Sequence, residues 1–253
     1  MTTIEFNKLN NHIGYGNPNA EIVFMGLEEG CAGGTIAANY NYRFKNLTGS
    51  CLEDLKAFHL KSTLGDMSKW FVGKGKRQRT WANYIKLLLN YSGVKSISSK
   101  SILNFQLKQL GQPSSNNALI EFYPFPRPSH GYWNNALLDI GSVGITESTY
   151  KINNPNNDRI DLIRNVTINN GNLKALIITG SLSKNKVKNE YRAIISTLGL
   201  KLGVDHSLDV KNNGSIIYAI EYKSSYGKKV FFTPFFGNGA ITDKAIAQLA
   251  SII

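Results

Sequence analysis

The residues best suited to chemistry stand together in GLEEG, Gly26 to Gly30. Glu28 and Glu29 are adjacent carboxylates in a glycine-bounded turn, where an acid can orient or deprotonate a bound molecule. Gly26 and Gly30, followed by Gly33 and Gly34, let the backbone come close to a ligand. A third acid, Glu121, closes a second apolar run just before YPFPRPS. The loop TGSLSKNK brings Ser181, Ser183 and Lys184 to an expected helix start, a natural seat for phosphate. The loop TPFFGNGAIT sets Thr233, Pro234, Phe235, Phe236 and Asn238 around an aromatic pair. The competing readings are a surface loop with two solvated acids for GLEEG and a structural ion pair for Glu121, for instance with Arg127.

These groups need elements to hold them. Four apolar runs bounded by turn residues read as buried strands: Ile22 to Met25, Ala118 to Phe122, Ala175 to Gly180 and Val230 to Phe235. Ser215 to Tyr222 reads as a further strand near an edge. Between them lie helical patterns. TWANYIKLLLNY has Thr80 as N-cap, SILNFQLKQLG ends at Gly111, and DRIDLIRNVTI precedes the third strand. KNKVKNEYRAIISTLG follows that strand, and ITDKAIAQLASII closes the chain with Thr242 as N-cap. Strands alternating with helices predict one α/β domain over residues 1–253, three-layer α/β/α, with a central, mostly parallel sheet of four or five strands. If those strands run parallel, all four loops meet on one rim.

The 29 Lys and Arg against 17 Asp and Glu give a net charge of +12, which suits a polyanionic partner. KWFVGKGKRQRTW concentrates Lys74, Lys76, Arg77 and Arg79 between two tryptophans without forming a phosphate-loop motif. It is expected to contact a nucleic-acid backbone, a solvated basic loop being the alternative. Cys31 and Cys51 form neither a disulfide framework nor a metal pair, and the four histidines are scattered, so no metal and no cofactor are expected. No apolar run approaches the roughly 18 residues of a membrane span, so the expectation is a cytoplasmic monomer.

The order of these loops resembles the uracil-DNA glycosylase superfamily. In that family the first strand ends in a turn whose acid or amide positions water at the sugar C1′, and Gly26-Leu27-Glu28-Glu29-Gly30 is similar to it. The resemblance implies Glu28 as the catalytic residue, with Glu29 as the alternative, and Gly26, Leu27 and Gly30 beside the base. Glu121 stands where the family usually has a base-reading asparagine, with Phe122 next to it. Thr233-Pro234-Phe235-Phe236 stands at the family's last motif, keeping its proline and replacing its histidine. Glu29 also replaces the usual proline of the first turn.

An amide suits uracil because it both donates and accepts, whereas a carboxylate only accepts and favours a cytosine N4 amino group. Tyr40 and Tyr42 are positioned in sequence to stack on an extruded base, core packing being their alternative. The resemblance therefore implies a monofunctional DNA glycosylase that flips out a modified or deaminated pyrimidine, modified cytosine favoured, as in bacterial defence against phage DNA. Arg127, Ser181, Ser183, Lys184, Thr233, Pro234, Phe235, Phe236 and Asn238 join the basic loop as expected DNA contacts. Two alternatives stay open: a catalytically silent DNA-binding module, and a Rossmann-like nucleotide-binding enzyme, which the two loop glutamates disfavour by repelling a pyrophosphate.

Overall fold

Continuous apolar runs leave no polar face to turn outward, and here they become strands covered on both sides. The computed structural model describes residues 3–27, 29–30, 36–62, 67–126, 157–183, 186–211, 213–237 and 239–253. The interior strands are β2 (Ile22–Gly26), β4 (Asn117–Glu121), β5 (Ala175–Ile178) and β10 (Lys229–Phe232). They run parallel in the spatial order β4-β2-β5-β10.

Among the described residues four more strands extend this core, giving a sheet of eight where four or five were expected. On one side β1 (Gly14–Gly16) lies antiparallel to β4, with β3 (Leu52–Glu53) outside it. On the other, β9 (Ile216–Lys223) pairs antiparallel with β10, and β8 (Lys201–Val210) forms the edge. β9 matches the expected strand near an edge. β1 needs glycine at both ends: a Cβ on Gly14 would lie 2.0 Å from the Leu119 carbonyl oxygen, and its φ of +153° disfavours other residues. That close approach fixes Tyr15 between them.

The helices flank the sheet in two groups, an arrangement that fits three α/β/α layers. α4 (Arg79–Tyr91) packs with α5 (Ser99–Lys108) and the C-terminal α8 (Asp243–Ile252). α1 (Thr3–Asn11) packs with α2 (Ile36–Asn46) and α6 (Asn157–Val166). The short α3 (Leu55–Leu60) follows β3. Thr242 caps α8 as expected, accepting from the Ala245 amide at 3.1 Å. α4, by contrast, is capped by Gln78, whose side chain accepts from the Trp81 amide at 2.7 Å, and not by Thr80.

The expected helix from Lys184 onward is corrected. Leu182–Ser183 (β6) pairs with Lys186–Val187 (β7) in a small ribbon, and α7 begins only at Arg192, running to Thr197. The chain turns back here because Lys188 donates to the Gly180 carbonyl at 2.7 Å and Tyr191 to that of Thr179 at 3.1 Å. The buried apolar side chains form one continuous cluster from Phe6 to Ala250. Arg159 of α6 is buried against it and donates to the carbonyls of Asn10, His12, Glu121 and Phe122 at 2.6 to 2.8 Å, tying α1 to the end of β4.

Candidate functional site

Because β2, β4, β5 and β10 are parallel, their C-terminal ends open on one rim. The chain leaves β2 for β4 on one side and returns to β5 on the other, which puts a topological switch point at β2, where α/β sheets open a ligand crevice. The hydrogen-bond ladder runs past the strand ends. The amides of Phe122 and Tyr123 donate to Gly26 and Leu27 at 3.0 and 2.7 Å, and that of Thr179 to Met25 at 3.0 Å. At Gly26 a Cβ would lie 2.3 Å from Glu121 Oε2. The Glu121 carboxylate therefore lies across the end of β2. Tyr84 of α4 joins it, its hydroxyl 3.2 Å from Thr179 Oγ1. Burial around the phenol, opposed by Thr179 and reinforced by the charge of Glu121, pushes its pKa up, so the group stays protonated.

Just beyond the β2 end, Glu29 is gripped from below. Its Oε2 lies 2.9 Å from Arg43 Nη2, and the Tyr15 hydroxyl donates to the carboxylate from 3.2 Å. The Arg43 side chain is 4% exposed and that of Glu29 24%. Burial opposes the Arg43 charge, yet Glu29 and Tyr15 hold its pKa above the ordinary value. The Tyr15 phenol is pushed well up by burial and by Glu29. His12 stacks on Phe58 and meets Tyr15 edge-on at 5.3 Å, with neither ring nitrogen hydrogen-bonded among the described residues. Burial, aided by Arg43 and Arg159, holds His12 well below the usual imidazole range. His59 donates through Nδ1 to the Leu55 carbonyl at 2.8 Å, and burial pulls its pKa down against the opposing charge of Glu29.

The helix α4 crosses the rim and links these groups to the last loop. Trp81 packs on His59 at 5.4 Å, and Tyr84 stacks on Phe24 at 4.3 Å and meets Phe236 at 5.3 Å. Thr80 Oγ1 would lie 3.0 Å from a Cβ on Gly237, and Asn83 donates to the Phe236 carbonyl, so α4 abuts the β10 exit. Phe235 covers Gly180 at the β5 exit and is 43% exposed. Lys74, Lys76, Arg77 and Arg79 are exposed on the segment leading into α4. The Glu121 carboxylate, the partly exposed Phe235 and the cationic segment leading into α4 thus stand around the same C-terminal strand ends.

Several expected site residues take other places. Glu28, Arg127, Lys184 and Asn238 lie outside the described residues. Leu27 is buried at the strand end and Gly30 is exposed beyond Glu29. Tyr40 and Tyr42 are not stacking platforms: both are buried, on different sides of α2, donating to the carbonyls of Pro126 and Phe58 respectively. Phe122 is core. Ser181, Thr233 and Phe236 are fully buried and so offer DNA nothing. Ser181 Oγ accepts from the Thr233 amide at 3.0 Å, and both hydroxyls donate to the Ile178 carbonyl, locking the β5 exit to the β10 exit. Ser183 is exposed and Pro234 half-buried, but the next described residues, Lys186–Val187, form β7 and not the expected helix start.

Sequence reading missed Tyr15, Arg43, His12 and His59. The glycines around Tyr15 were a usable signal; the other three meet only through long-range packing. Among the described residues, no group of three or more His, Cys, Asp or Glu side chains is placed to hold a metal, and no helix is long and apolar enough to cross a membrane. Comparison with protein-family models, curated proteins and solved structures finds no match.

Proposed function

We propose that this protein is a DNA glycosylase with a uracil-DNA glycosylase-like core, acting as a cytoplasmic monomer without a cofactor. The observation that carries the reading is that two acids, Glu29 just beyond β2 and Glu121 at the end of β4, stand at the switch point, with a cationic loop and Phe235 on the same side of the sheet. An extruded nucleotide would enter the crevice while Phe235 fills the space it leaves and Lys74, Lys76, Arg77 and Arg79 hold phosphates.

Glu29 has its carboxylate engaged by Arg43 and Tyr15, which suits an anchor for the turn, and the working acid of the proposal is Glu28. Glu28 orients water and takes its proton as oxygen bonds to C1′. The C1′–N bond breaks, its electron pair leaves with the base, and the base takes up a proton. The negative charge of Glu28 favours the oxocarbenium-like sugar. Glu121 accepts a hydrogen bond from an exocyclic amino group, so the preferred base is a modified cytosine, as in phage DNA under bacterial defence.

The test is a panel of duplexes carrying uracil, cytosine, and hydroxymethylated or glucosylated cytosine, scored for alkali-labile abasic sites. Wild-type protein is expected to cut modified-cytosine DNA, Glu28→Gln to be inactive, and Glu121→Gln to shift preference toward uracil. Equal action on uracil and modified cytosine overturns the base assignment. Binding without any abasic product overturns the enzyme.

A further inference from the structure

The cationic segment before α4 is a closed, hydrogen-bonded knuckle. The Lys76 amide donates to the Lys69 carbonyl at 3.1 Å, closing its neck, and the Gly75 amide to Val72 at 2.8 Å. Gly73 and Gly75 turn the tip with φ of +58° and +65°. At Gly75 a Cβ would lie 3.2 Å from both Leu107 Cδ2 and the Trp70 carbonyl oxygen, so the tip is pressed on α5. Arg77 is steadied by Ser99 Oγ at 3.1 Å.

One residue of α5 organises the whole turn. Gln106 is fully buried, and its amide group donates to the carbonyls of Trp70 and Lys76, each at 2.9 Å. Its Oε1 accepts from the Gln78 amide at 3.1 Å. Gln78 in turn caps α4, so the same amide fixes where the knuckle ends and the helix begins. Three backbone groups of a cationic loop are thus satisfied by one side chain that itself presents nothing to the surface. Ordering Lys74, Lys76 and Arg77 before a partner arrives removes that entropic cost from binding.

We propose that Gln106 is the positioning residue of a preformed knuckle, residues 69–79, that docks the phosphate backbone of duplex DNA. The inference rests on the DNA reading above. Fluorescence anisotropy with a short duplex gives Kd for wild type, Gln106→Met, the triple variant Lys74→Ala/Lys76→Ala/Arg77→Ala, and their combination. Losing the pin is expected to weaken binding about tenfold in the wild-type background and less than about twofold without the charges, because groups that act together are not additive. Unchanged Kd for Gln106→Met, or an equal loss in both backgrounds, overturns the proposal. Should Gln106→Met not fold, Gln106→Asn, which keeps the amide and shortens its reach, takes its place.

Amide hydrogen exchange of the wild-type protein without DNA needs no substitution. Lys76 and Gln78 are expected to be protected, and exchange at open-loop rates overturns the pin. A wild type with no affinity for duplex DNA overturns the DNA reading and the docking role together. A wild type that binds while Gln106→Met binds equally well overturns the docking role alone.

Discussion

Arg43 Nη2 sits 2.9 Å from Glu29 Oε2, and the two partners are unequally buried. Arg43 is almost wholly enclosed, with its Nε lacking a hydrogen-bond partner among the described residues, while Glu29 keeps an edge to solvent. Losing either partner therefore has different consequences. Glu29→Leu leaves a buried guanidinium uncompensated and is expected to lower stability by about 3–5 kcal/mol. Arg43→Met frees a carboxylate that can still hydrate, and about 2 kcal/mol is expected. The double variant should lie close to Arg43→Met alone. Urea unfolding of the four proteins checks the asymmetry, and equal losses for the two single variants count against it.

The same buried cluster makes stability depend on pH. His12 and His59 are held neutral by burial in the native state. The unfolded chain protonates each below about pH 6.5, so it binds protons that the native state refuses. Their contribution is intact above that pH and is lost as pH falls, by up to about 1.4 kcal/mol per pH unit for each histidine, until the depressed native pKa is reached. His12→Leu also removes two ring nitrogens without hydrogen-bond partners among the described residues. It is expected to be as stable as wild type at pH 7 and to lose less between pH 7 and 5. Urea titrations at both pH values measure this, and parallel pH slopes for the two proteins would sink it.

The outline of the fold was legible where a local pattern was strong. The interior strands read directly from Ile22, Ala118, Ala175 and Val230 onward because burial on both faces demands continuous apolar runs. β8 was legible too, through the alternation of Leu202, Val204, His206, Leu208 and Val210, but it was not recognised. The segment after Lys184 misled because its ribbon is set by distant partners, the carbonyls of Gly180 and Thr179, and not by its own pattern. At the site, the sequence pointed to both acids that close strands. It could not show that Arg43 and Tyr15, from α2 and β1, converge on Glu29. Nor could it separate Phe235, which is exposed, from Phe236, which is core, since neighbours in a loop share composition and not fate.

Gly26→Ala separates packing from function. The atom that a new Cβ would meet is Glu121 Oε2, the end of a movable side chain, at 2.3 Å. The backbone can stay while the carboxylate swings away, so a stability loss under about 1 kcal/mol is expected. On the glycosylase reading, discrimination among bases should collapse with it. Thermal unfolding alongside the abasic-site assay checks both halves. Full base preference with an unchanged melting temperature shows that Glu121 reads nothing.

Phe235→Ala tests the exposed end of the rim. Phe235 packs over Gly180 and Gly237 but remains 43% exposed, unlike Phe236 beside it, which is fully buried and in contact with Tyr84. Truncating an exposed side chain changes stability by roughly 0.5 kcal/mol or less, whereas Phe236→Ala removes core packing and should cost about 3–5 kcal/mol. If Phe235 fills the gap left by an extruded base, its loss should slow excision from duplex DNA far more than from single strands, where no stack has to be held open. Single-turnover rates on both substrates measure the difference. An equal slowing on both substrates removes the wedge role and leaves Phe235 as a general contact.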